Sequence, residues 1–199
     1  MIDWIKNIGK EYPDFWKDYL KKFDEKSNKY VVMTTETTGL NPSKDVILSI
    51  GCVTVQDNLI LIGESFEIVL LQYVFNHDNQ ISNKFIIESK QEKLIEAQGI
   101  KKFIEFLQNA VIVGHCIDFD IEIINEALKK MNCGSIKNEA LDIEIMYRKW
   151  TEDIDNKPCS IEEMCQHFKI EKTFRNSTAE DAYLIALLFL KLKSRLKFK

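Results

Sequence analysis

Short apolar runs alternate along the chain with longer stretches in which apolar residues recur every three or four positions. The first stretch, residues 1–29, is charged and aromatic. Within it Phe15, Trp16, Tyr19, Leu20 and Phe23 recur at helical spacing, and Pro13 suits a first helical turn, so an N-terminal helix is predicted. Tyr30-Val-Val-Met33 follows polar Ser27-Asn28-Lys29 and reads as a buried strand. Gly39 to Lys44, with Asn41-Pro42, reads as a turn. Val46–Val55 and Leu59–Leu71 flank Gln56-Asp57-Asn58, which predicts an antiparallel hairpin. Residues 76–84 are polar and loop-like.

The second half alternates more regularly. Ile100, Phe103, Ile104 and Leu107 predict a helix over Leu94–Leu107. Ala110–Val113 is a short buried strand ended by Gly114. Ile121–Met131 reads as a helix closed by Cys133-Gly134, and Glu139–Leu141 as a last strand followed by a helix through Trp150. Ser160-Ile-Glu-Glu163 is a capping-box pattern opening a helix to about Phe168. Ala179–Leu196 is a long apolar helix. This order predicts an α/β domain with a mixed sheet, an antiparallel meander beside parallel strands with crossover helices. No repeat and no linker interrupts it. One domain over residues 30–199 is expected, with a helical extension over residues 1–29.

Composition narrows the partners. Apolar residues make up 45% and charged residues 29%, enough for a packed core, and seven Gly and three Pro exclude collagen-like and low-complexity chains. No apolar run reaches the ~18 residues of a membrane span, and Asp3 sits where a signal peptide wants cations, so a cytoplasmic protein with no membrane partner is expected. With 27 cations against 31 anions there is no basic coat, and a phosphate-bearing partner needs a local patch or a bound metal. Cys52, Cys116, Cys133, Cys159 and Cys165 form no CxxC pair, so buried free thiols are expected rather than a zinc site or disulfides.

Three acids lie at the boundaries of apolar elements: Glu36 after the first strand, Asp120 at the start of a helix, and Asp181 near the start of the final helix. In an open α/β sheet the functional crevice lies at the carboxyl ends of strands. Acids gathered there from distant segments repel one another unless cations hold them, and an all-oxygen site suits Mg²⁺ or Mn²⁺. Taken singly, each has a structural reading, as a solvated strand end or a helix-dipole partner.

The local sequences point further. Glu36-Thr37-Thr38-Gly39-Leu40 resembles the first motif of the DEDDh 3′–5′ exonucleases, Asp-x-Glu-Thr-Thr-Gly-Leu. Gly114-His115-x-x-x-Phe119-Asp120 resembles their second, and Asp181-Ala182 the end of their third, His-x-Ala-x-x-Asp-Ala. The resemblance covers roughly residues 30–196 and is to the family of the DNA polymerase III epsilon subunit and ribonuclease T. It implies a ribonuclease H-like fold and two-metal phosphodiester hydrolysis at the 3′ ends of single-stranded DNA or RNA, with replication or repair proteins as partners. By the resemblance Glu36, Asp120 and Asp181 are metal ligands. Thr37, Thr38 and Leu40 hold the terminal nucleotide, and Phe119 stacks on a base.

Two family positions differ. Thr34 stands where the family has the Asp that bridges both ions, and Asn176 where it has the catalytic His. A hydroxyl is a weak, neutral ligand, and an amide has no basic nitrogen at neutral pH. A lost general base typically costs ~10²–10⁴-fold. The expectation is an exonuclease-family protein whose activity is lost or much reduced, with one weakly bound ion or none. The alternative is a non-catalytic module of the same fold that binds nucleic-acid ends or a protein. His115, His167 and His77 are the histidines available as a replacement base; only His115 lies in a motif, where it suits packing or a hydrogen bond.

Overall fold

A computed structural model describes residues 11–72, 91–152, 157–171 and 177–197. Six strands form one sheet: β1 (Lys29–Thr37), β2 (Ile47–Gln56), β3 (Leu59–Leu71), β4 (Lys93–Ile95), β5 (Val111–Gly114) and β6 (Ala140–Asp142), in the order β4-β3-β2-β1-β5-β6. β2 runs antiparallel to both β1 and β3, while β5 runs parallel to β1, β6 to β5 and β4 to β3. This is the mixed α/β sheet that the element order predicts. The hairpin turn is Asp57-Asn58, with φ of 50° and 61°. Positive φ at both turn positions matches the right-handed twist of the flanking strands, and Asp and Asn tolerate it.

The helices are α1 (Asp14–Lys21), α2 (Glu96–Leu107), α3 (Ile117–Lys130), α4 (Ile143–Thr151), α5 (Ile161–Phe168) and α6 (Thr178–Arg195). Strand alternation splits the core between two faces. Val31, Met33, Ile50, Ile68 and Ile112 pack with Trp16, Phe103 and Leu128 of the first three helices. Val32, Val53, Val55 and Val113 pack with Ile143, Met164, Ile185 and Phe189 of the last three. Trp16 is 1% exposed. The Tyr19 hydroxyl donates to Asn138 Oδ1 (2.6 Å) and accepts from the Lys137 N–H (2.7 Å), tying α1 to the segment before β6. Among the described residues no helix is long and apolar enough to cross a membrane.

Several boundaries differ from the pattern reading. β1 continues past Met33 through Thr37, because polar Thr34, Thr35 and Glu36 keep their pairing to Gly51, Ile50 and Ser49. Ladder hydrogen bonds, not apolar content, extend it. α3 begins at Ile117 rather than Ile121: Cys116 turns into the left-handed region (φ 53°), and Asp142 Oδ2 accepts the Ile117 N–H at 3.1 Å. Lys93-Leu94-Ile95 is a strand, parallel to Val69–Leu71, where the pattern merges it into a helix. The capping box forms at α5, with Glu163 N–H donating to Ser160 Oγ and Ser160 N–H to Glu163 Oε2. Of the five free thiols, Cys52, Cys133 and Cys165 are buried as expected. Cys159 is half-buried and Cys116 is exposed. The predicted loop at residues 76–84, with His77, lies outside the described residues.

Candidate active site

β1 carries the first motif inside the sheet. Alternation puts Thr34 and Glu36 on the face of Val32, toward α6, and Thr35 on the face of Val31 and Met33, toward α3. Thr34 is partly buried and Glu36 exposed.

The neighbouring strand sets how closely α6 approaches. Gly51 is the register partner of Thr34. A Cβ there would lie 2.1 Å from the Thr178 carbonyl carbon and 2.4 Å from the Ala179 nitrogen. The first turn of α6 therefore rests on bare backbone beside Thr34. Ser49, the partner of Glu36, donates to Thr178 Oγ1 at 3.2 Å, and Thr178 Oγ1 donates to Glu67 Oε1 of β3 at 3.0 Å. Glu67 also accepts the Ala179 N–H (3.4 Å), so a carboxylate meets the positive end of the helix. This clamp fixes α6 with the half-buried Asp181 in its first turn. The sheet rows bearing Thr34 and Glu36 thus both run beneath the start of that helix.

Asp120 arrives from the other side. It sits in the first turn of α3, 6% exposed, and accepts the Thr35 hydroxyl at 2.5 Å together with the Thr35 backbone N–H. Burial pushes its carboxyl up to about 7 against the lowering effect of both Thr35 hydrogen bonds, with the nearby Asp142 charge adding to the rise. A divalent cation at this place would reverse that balance. Glu36, Asp120 and Asp181 are all carboxylates, the oxygen chemistry that suits Mg²⁺ or Mn²⁺, but among the described residues they do not form one compact ligand cluster. Thr34 adds only a neutral hydroxyl. Asn176 lies outside the described residues.

Beyond β1 the chain makes a braced turn. Thr37 Oγ1 donates to the Gly39 carbonyl (2.8 Å). Thr38 Oγ1 donates to Asp45 Oδ1 (2.9 Å) and accepts the Val46 N–H, while Asp45 Oδ2 accepts the Asn41 N–H (2.8 Å). A Cβ on Gly39 would lie 2.7 Å from the Asp45 carboxylate, so a larger residue there would displace the side chain that braces the turn. Leu40 projects from it, 87% exposed. Phe119, in the first turn of α3, is half-buried against the core.

The histidines have other work. His115 Nε2 donates to the Cys159 carbonyl (2.9 Å), the hydrogen-bonding role its position suggests. His167 Nδ1 bonds the Tyr147 hydroxyl in an aromatic cluster with Trp150 and Phe168. Four positioning residues escape a motif reading: Thr35, Gly51, Glu67 and Asp142. Only Gly51 leaves a signal, a glycine inside an apolar strand, which marks close backbone approach.

Comparison with known proteins places this geometry. The RNase_T exonuclease family model matches residues 31–189. The chain is 29% identical over 170 residues to the PolC-type DNA polymerase III of Caldanaerobacter subterraneus subsp. tengcongensis, covering 84% of this chain and 12% of that protein. It is 26% identical over 175 residues to the DNA polymerase III subunit epsilon of Aquifex aeolicus, covering 85% and 83%. Its fold matches E. coli exonuclease I in complex with a dT13 oligonucleotide, with a TM-score of 0.70 at 14% identity, over 86% of this chain and 42% of that one.

Proposed function

The chain belongs to the RNase_T exonuclease family, and on that premise we propose that it engages single-stranded DNA or RNA 3′ ends with 3′–5′ hydrolysis lost or much reduced. The supporting observation is Thr34. Its strand row runs beneath the first turn of α6, so the residue beside the helix that carries Asp181 offers a neutral hydroxyl instead of a carboxylate. Glu36 and Asp181 are the residues that would hold Mg²⁺ or Mn²⁺, with Asp120 behind them. A bound ion supplies Lewis acidity at a phosphoryl oxygen and lowers the pKa of bound water. Asn176 leaves the attacking water without a base. The braced Thr37–Leu40 turn retains what end-binding needs, a fixed backbone and an apolar wedge. The polymerase III relatives make replication or repair proteins the partners to try first.

Cleavage of a 5′-labelled single strand in Mn²⁺ tests the reading. The natural chain is expected near background, and a Thr34→Asp/Asn176→His variant to gain ~10²-fold or more. Robust cleavage by the natural chain, abolished in Glu36→Ala, overturns it. Fluorescence anisotropy tests the end-binding half: preference for a free 3′ hydroxyl over a 3′-phosphate is expected, and equal affinity refutes recognition of the end.

A further inference from the structure

We propose that His115, Cys116 and Glu144 form a binding site for a zinc-class divalent cation at the start of α3, distinct from the Glu36 and Asp181 carboxylates. One ring nitrogen of His115, the Cys116 sulfur and one Glu144 carboxylate oxygen all lie within 4.8 Å of one another. Ligands bound tetrahedrally to zinc at ~2.0–2.3 Å stand about 3.3–3.8 Å apart. Side-chain shifts of about 1 Å therefore close the site.

Local backbone makes this convergence possible. Neighbouring residues of an extended chain point to opposite sides. The left-handed conformation of Cys116 (φ 53°, ψ 41°) breaks that alternation just after β5, so two adjacent side chains serve one centre. The third ligand comes from the first turn of α4, whose cap Asp142 also accepts the Ile117 N–H and so locks α4 to the start of α3. The ligands come from separate segments, which is why no CxxC spacing announces them.

The outer contacts are those that orient metal ligands. His115 Nε2–H donates to the Cys159 carbonyl, which leaves Nδ1 as the ring nitrogen with a lone pair. Glu144 is buried, and its Oε1 is held by the Cys159 N–H (2.9 Å) and the Arg148 guanidinium. Its Oε2 faces the Cys116 thiol at 3.6 Å. The contacts close a circuit, His115 to Cys159 to Glu144 to Cys116. One nitrogen, one sulfur and one carboxylate oxygen select a borderline cation such as Zn²⁺ over Mg²⁺. Cys116 is exposed, so an ion can enter and a fourth ligand can come from solvent.

The Glu144 carboxylate faces the Cys116 thiol, so the cluster carries anionic oxygen beside its sulfur. On binding, the thiol proton leaves to solvent and an Sγ–metal bond forms, with no change of oxidation state.

Co²⁺ serves as the spectroscopic probe for the full chain. One equivalent is expected to bind with a thiolate-to-cobalt charge-transfer band, displaceable by Zn²⁺. Cys116→Ser, at an exposed position that leaves the core intact, should remove the band. In chelator competition both it and His115→Ala should weaken Zn²⁺ binding by at least ~10-fold. A Glu36→Ala/Asp181→Ala variant should keep the band, so the result stands or falls apart from the exonuclease reading. Absence of a charge-transfer band in the natural chain, or its survival in Cys116→Ser, overturns the proposal.

Discussion

Thr35 opposes the burial that raises the Asp120 carboxyl. It is the variable residue of the first motif, yet alternation turns it toward α3, where its hydroxyl and backbone N–H hold the buried carboxylate. Because burial raises the folded-state value to about 7, the folded chain binds a proton that the unfolded chain releases near pH ~4. This contribution to stability is complete below about pH 4, falls as pH rises towards 7, and is flat above. It amounts to at most about 4 kcal/mol. Urea unfolding of chelator-treated protein should show that decline, and Asp120→Asn should flatten it; equal slopes in both proteins would show that Asp120 is not the group. Glu36, Asp120 and Asp181 are the positions that motif spacing marks in the sequence. Thr35 is not so marked, because its role depends on which face of a strand it occupies and on a helix that reaches it from residue 120.

At the scale of elements, the site is a matter of how α6 lies on the sheet. Gly51→Ala would drive a methyl group into the backbone of Thr178 and Ala179, where no rotamer change relieves the clash. A loss of roughly 2–3 kcal/mol is expected, seen as a lower urea midpoint at unchanged slope. Any cleavage regained by a Thr34→Asp/Asn176→His background should fall with it, since Asp181 moves with the helix. Ser160→Ala removes the hydroxyl that accepts the Glu163 N–H and donates to Glu163 Oε2 at the start of α5, and should cost ~1 kcal/mol. Caps and hairpins are local chemistry, so the α5 start and the Asp57-Asn58 turn could be read from residues. The start of α3 could not, since Asp142, which satisfies its first N–H, is distant in sequence. Nor could β4, whose three residues are fixed by pairing with Val69–Leu71.

For the whole molecule, the alternation of elements was enough to give a mixed sheet between helices, but not its register or which helix closes which face. Trp16 and Tyr19 show the difference. Their helical spacing was plain, while their burial under α2 and against the segment before β6 depends on the assembled sheet. Trp16→Ala should cost ~3–5 kcal/mol in thermal or urea unfolding. A cost under ~1 kcal/mol would make α1 an appendage. Tyr19 and Asn138 are 119 positions apart. At ~5–20 residues per second a ribosome needs roughly 6–24 s to travel between them. Throughout that interval the nascent chain carries Tyr19 without the partners its hydroxyl binds, so the tie between α1 and the segment before β6 closes late, however early α1 leaves the tunnel.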